Sequence, residues 1–196
     1  YPFKTVDDFL MIEKELKFDY ESLITPVPHT PGQDDIINRE KAVGSIGYYY
    51  YQLYTTLFMW GVEVLGWEVY MMASALDSEK LDKLFLQPAF KKRKLLIEQL
   101  SVMSSPFLFL HDDLSDARGP IFQPEWYDEY IFPRYTELFS IPRKAGKKII
   151  LVADGNMEAF FPKLLELGID GVMFENPATN FDAIIEAFKD KIIIGG

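Results

Sequence analysis

The sequence predicts an α/β fold in which parallel strands alternate with helices packed outside them, as in part of a (β/α) barrel. Three observations carry that prediction. Four apolar runs, at residues 106–110, 148–153, 170–174 and 191–194, lack polar alternation, which is the pattern of strands buried on both faces. Amphipathic stretches stand between them. Trp126, Tyr127, Tyr130, Ile131, Leu138 and Phe139 mark the first, Phe160, Phe161, Leu164 and Leu165 the second, and Ile184, Ile185 and Phe188 the third. Finally, the last three runs begin about 21 residues apart, room for one strand, one short helix and two tight loops.

Repeated βα units imply right-handed crossovers, and ligands of such sheets meet the carboxyl ends of the strands. Each run ends there in a polar or glycine cluster: His111-Asp112-Asp113, Asp154-Gly155-Asn156, Glu175-Asn176-Pro177 and Gly195-Gly196. Gly168 after Leu167 is a helix stop. Upstream the pattern is less regular. Residues 6–16 read as a helix, with Asp7 and Asp8 suiting its first turn. The stretch 25–34, holding Pro26, Pro28, Pro31 and Gly32, reads as a loop, and 42–47 as a fifth strand. Two apolar helices follow at 48–66 and 67–75, and Asp77 opens a long helix to about Met103, broken or kinked at Pro88. A full eight-unit barrel takes about 250 residues. Four or five strands within 196 residues therefore predict a single domain over 1–196, truncated at both ends.

Composition narrows the function. Thirty acidic against 20 basic residues give a net charge of −10, a surface that repels nucleic acid and anionic lipid. The basic run Lys91-Lys92-Arg93-Lys94 lies in a helical pattern and reads as a solvated face. With no cysteine, the chain excludes disulfides, thiolate nucleophiles and cysteine-ligated zinc or iron–sulfur clusters of its own, in keeping with a reducing cytoplasm. No stretch approaches the roughly 20 apolar residues of a membrane helix, and Tyr1-Pro2-Phe3-Lys4 has no secretory pattern.

The strand-end carboxylates are the candidates for chemistry. Asp113, Asp154 and Glu175 are expected to face the cavity as the catalytic set. Neighbouring strand residues point to opposite sides, so one of Asp112 and Asp113 faces the cavity while the other caps a loop or binds backbone N–H groups. Crowding of the two aspartates would raise one pKa and make a proton donor near neutral pH. Substrate contacts are expected from His111, Asp112, Arg118, Asn156 and Tyr48. Each has a plainer alternative. Arg118 either grips an anion with its planar fork or pairs with Asp113 or Asp116, and Asn156 suits a helix N-cap. Tyr48 heads a cluster, Tyr48-Tyr49-Tyr50-Tyr51 with Tyr54, that suits either a pocket lining or an aromatic core. A divalent metal has little support. The chain lacks a His-Glu-x-x-His motif, a glycine-rich phosphate loop and a Gly-x-Ser-x-Gly elbow, which removes support for hydrolase and kinase readings.

The run from His111 through Asp113-Leu114-Ser115, Arg118-Gly119-Pro120 and Gln123-Pro124-Glu125 to Pro133-Arg134-Tyr135 resembles the uroporphyrinogen decarboxylase superfamily, which includes cobalamin- and corrinoid-dependent methyltransferases. Gly146-Lys147-Lys148, Asp154-Gly155-Asn156, Gly168-Ile169-Asp170 and Gly195-Gly196 continue the resemblance, and Gly66-Trp67-Glu68 extends it upstream. It implies a partial TIM-type barrel. Thiol-activating members carry His-x-Cys before Gly-Asn, but Val152 and Asp154 stand at those positions, so that zinc site is absent. Asp112-Asp113-Leu114 is similar to the methyltransferase branch, whereas Asp154-Gly155 leans toward the decarboxylases. The implied activity is methyl transfer from a small donor to a corrinoid on a partner protein, with no firmly bound cofactor. Uroporphyrinogen decarboxylation and a non-catalytic binding or assembly barrel are the alternatives, and exposed strand edges would favour a homodimer.

Overall fold

Strand β1 (Gln52–Leu53) is followed by β2 (Phe107–His111), by a small antiparallel hairpin of β3 (Ser115–Asp116) and β4 (Gly119–Pro120), and by β5 (Lys148–Ala153), β6 (Gly171–Phe174) and β7 (Ile192–Gly195). The computed structural model of the chain describes residues 3–12, 33–174 and 178–195. Its main sheet runs β1-β2-β5-β6-β7, and every neighbouring pair is parallel. The four strands expected from their apolar runs thus form within a residue or two of those bounds.

A parallel sheet whose order always advances one way, with crossovers of the usual hand, gathers its helices on one face. Side-chain contacts divide accordingly. Leu108, Leu110, Ile149, Leu151, Ala153, Val172 and Phe174 join the main core with the helices. Phe109, Ile150 and Val152 form a separate small cluster on the opposite face, with Phe107, Met173 and Ile194 against it.

The outer layer comprises α1 (Val6–Leu10), α2 (Gln33–Val43), α3 (Phe58–Leu65), α4 (Trp67–Leu76), α5 (Ser78–Leu81), α6 (Gln87–Ser101), α7 (Pro124–Tyr130), α8 (Phe132–Lys144), α9 (Phe161–Glu166) and α10 (Phe181–Ala187). Thr5 and Asp8 close a capping box on α1. The helix stop at Gly168 holds: its φ is +73°, and the Ile169 N–H returns to the Leu164 carbonyl. Between α5 and α6 the chain is π-helical over Asp82–Leu86. The Gln87 N–H reaches back five residues to the Asp82 carbonyl, so the ladder has already slipped where Pro88 arrives without an N–H.

Two expectations need correction. Residues 42–47 are not a strand, because α2 runs through Val43 and a 3-10 turn covers Gly44–Ile46. The sheet's first strand lies instead at Gln52–Leu53, inside a stretch read as helical, and α3 begins only at Phe58. Tyrosine density there was mistaken for a helix face, although aromatic residues fit a half-buried pleat equally well. Most of the loop expected at 25–34 lies outside the described residues.

Candidate functional site

Alternation along β2, continued just past its end, sends Phe107, Phe109, His111 and Asp113 toward the face opposite the helices and Asp112 toward the helices. The two aspartates consequently occupy opposite environments. Asp112 has no exposed surface. Its Oδ2 accepts the N–H groups of Leu57 (2.6 Å) and Phe58 (2.7 Å) and the Tyr135 hydroxyl (2.5 Å), while Oδ1 accepts the Met59 N–H (2.6 Å). Those N–H groups open α3, whose own N-cap residue, Leu57, supplies no side-chain bond. Asp112 is therefore the cap of a helix 55 residues away in sequence. Burial raises its pKa, against the lowering effect of the four hydrogen bonds. Placed among substrate-binding residues by sequence, Asp112 is corrected to a buried anchor, because both oxygens are engaged and none of it reaches solvent.

Asp113 lies on the rim. Its Oδ1 accepts from His111 Nε2 at 3.0 Å and from the Asp154 N–H at 2.7 Å. Partial burial pushes its pKa up, but the His111 and Asp154 bonds outweigh it and hold the carboxyl below the ordinary value. This ionised acceptor requires the proton on His111 Nε2. His111 Nδ1 faces the Gln52 side-chain amide nitrogen at 3.3 Å. The His111 ring is buried edge-on against Tyr54, with centroids 4.9 Å apart. Expected crowding of Asp112 and Asp113 is thus not what sets their pKa values. Burial raises one, and hydrogen bonds lower the other.

Asp154 follows β5. One of its carboxylate oxygens, Oδ1, is buried with no hydrogen-bond partner. The loop it begins is tightly held. Gly155 has φ +80°, and a Cβ there would lie 2.3 Å from the Ser115 carbonyl oxygen. Thr179, itself buried, donates to the Gly155 carbonyl (3.0 Å) and accepts the Met157 N–H (2.9 Å), tying the loop after β6 to the loop after β5.

The other candidates scatter. Asn156 takes its plainer role, accepting the Glu158 N–H at 3.1 Å in a local turn. Arg118 is almost fully exposed and gripped by Asp116 at 2.7 and 3.1 Å. Tyr48 is exposed and precedes β1, on the amino side of the strand rather than at its carboxyl end. Glu175 lies outside the described residues, as do Asn176, Pro177 and Gly196. Among the described residues, no group of three or more His, Cys, Asp or Glu side chains is placed to hold a metal ion. Among them, too, no helix is long and apolar enough to cross a membrane.

Sequence reasoning missed Gln52 and Arg93, while Tyr54 was read only as one member of the tyrosine cluster. The basic run 91–94 is not wholly solvated, for Arg93 is buried and donates to Thr55 Oγ1 at 2.6 Å. Burial lowers its pKa while the Asp112 charge acts to raise it. The signal was present: Arg93 stands four residues from both Ala89 and Ile97, which are buried on the same helical face. No family model, curated protein or solved structure matches the chain.

Proposed function

We propose that the chain is an arc of a closed (β/α) barrel of the uroporphyrinogen-decarboxylase-like kind. In this reading its rim binds a cationic methyl donor for transfer to a corrinoid carried by a partner protein. The observation that carries it is the geometry around Asp113, whose Oδ1 accepts from His111 Nε2 and from the Asp154 N–H, bonds that hold its carboxyl below the ordinary value. A carboxylate stabilised in this way holds a cation better than it gives up a proton. The donor is accordingly a methylated ammonium. Its C–N bond breaks with the electron pair staying on nitrogen, so the amine leaves neutral and needs no acid. Reduced corrinoid cobalt would supply the electron pair that accepts the methyl group.

Three further features support this reading. Tyr50 and Tyr54 are half-exposed, packed against Phe109 and His111, and aromatic rings beside carboxylates suit an ammonium ion. The one-way strand order and one-sided helices are those of a barrel wall. Among the described residues no helix residue joins the cluster on the face that carries Phe109, which suits a macrocycle presented from outside by a partner. Decarboxylation of a substrate rich in carboxylates fits less well. Arg118 is paired with Asp116, and Arg93 is buried on the helix side.

The test incubates the full-length protein and a reduced corrinoid protein with a panel of methylated amines and methyl ethers. Methyl-cobalt absorbance is expected with the ammonium donors, and Asp113→Asn and Asp154→Asn should weaken it. Absence of transfer across the panel, or conversion of uroporphyrinogen to coproporphyrinogen, would overturn the reading.

A further inference from the structure

We propose that Asp112 is a positioning residue for the rim: by capping α3 from the helix side of the sheet, it fixes the turn that walls in His111. The inference rests on His111 and Asp113 forming the working site, but not on the reaction assigned to that site. A short covalent path connects the two. Tyr54 lies edge-on to the His111 ring, and the chain from there reaches the capped N–H groups of Leu57, Phe58 and Met59 within five residues. The connecting turn is held at two more points. The Thr56 N–H donates to the His111 carbonyl at 2.9 Å, and Thr55 Oγ1 receives Arg93. On the other side, the Asp112 N–H donates to the Val152 carbonyl at 3.0 Å, so the same residue also sets β2 against β5 where Asp113 meets Asp154. A small shift of the Asp112 carboxylate therefore moves the Tyr54 wall relative to the imidazole.

Asp112→Asn keeps the volume but replaces one acceptor oxygen with an N–H₂ group. That group must face either the Met59 N–H or the three donors on the Oδ2 side. Tyr135→Phe is the milder change, removing one donor and freeing Oδ2 to reorient. The readout is the imidazole ¹⁵N–¹H spectrum at a fixed neutral pH. The chain holds two histidines, so a His29→Gln variant assigns the His111 signals. Phe188→Leu serves as a comparison for destabilisation alone, since Phe188 packs on Phe161 and Phe174 at the opposite end of the sheet order.

Both network variants should shift the His111 cross-peaks, Asp112→Asn further than Tyr135→Phe, with Phe188→Leu leaving them in place. Unmoved His111 signals in folded Asp112→Asn would overturn the proposal. Should that variant not fold, unmoved signals in Tyr135→Phe would do so instead. Signals moved as far by Phe188→Leu would reduce Asp112 to a stability role alone. Loss of methyl transfer with a moved His111 would leave the positioning role standing, because the spectrum is read without substrate.

Discussion

The two faces of the sheet treat the same residue type in opposite ways. On the helix-covered face, Asp112 is sealed among Tyr135 and the start of α3, and its carboxylate serves the fold. One residue further, on the opposite face, Asp113 lies at the carboxyl end of the strands and its carboxyl is held below the ordinary value by His111 and a backbone N–H. A single step along a strand, which reverses side-chain direction, separates an anchor from a candidate site residue. Residue type alone says little about role, and the facing environment decides it.

The largest break in that comparison should come from Asp112→Ala. It strands three N–H groups and a hydroxyl in the core, and a loss of about 3–5 kcal/mol is expected in urea unfolding. Asp113→Ala should cost less, because it leaves one backbone N–H and one imidazole N–H without a partner rather than four buried donors. Next comes Gly155→Ala, which forces a left-handed φ on a residue whose Cβ would strike the Ser115 carbonyl. About 2–3 kcal/mol is the expected loss, read in the same way, and an unchanged midpoint would mean that the loop after β5 moves freely.

The pH dependence of stability sharpens the contrast further. The Asp113 pKa is depressed on folding, so it contributes stability above its unfolded value of 3.8, and that stability is lost as the pH falls through the folded value. Asp112 is raised, so its contribution is present below 3.8 and lost as the pH rises through the folded value. Stability profiles of Asp113→Asn and Asp112→Asn, each subtracted from the parent curve, should therefore bend in opposite directions. Bends of the same sign would show that the two carboxyls share one environment. The smallest effect belongs to Arg118→Ala. Both partners of its ion pair with Asp116 are solvent-exposed, so no change in unfolding midpoint is expected.

Legibility in the sequence followed the range of the interactions. The four strands after Pro106 could be read because an uninterrupted apolar run is a local signature of burial on both faces. Their carboxyl ends located Asp113 and Asp154 for the same reason. β1 could not be read, because two residues carry no period, and Gln52 and Tyr54 gain meaning only against His111, nearly 60 positions later. Arg93 was hidden by its lysine neighbours, although the helical spacing from Ala89 and Ile97 pointed inward. One of the two adjacent aspartates was expected to bind backbone N–H groups, but nothing local shows that it is Asp112 or that those groups begin a distant helix.

That borrowed cap has a consequence for the order in which the chain assembles. Residues 58–65 are strongly apolar, yet they lack a nearby residue that marks where the helix begins, so on its own this segment has little reason to start at Phe58. The start is defined only once β2 has been laid down and Asp112 has been turned beneath it. Fixing the start of α3 therefore needs a contact that closes a 55-residue loop between Leu57 and Asp112, a long-range contact rather than a local signal.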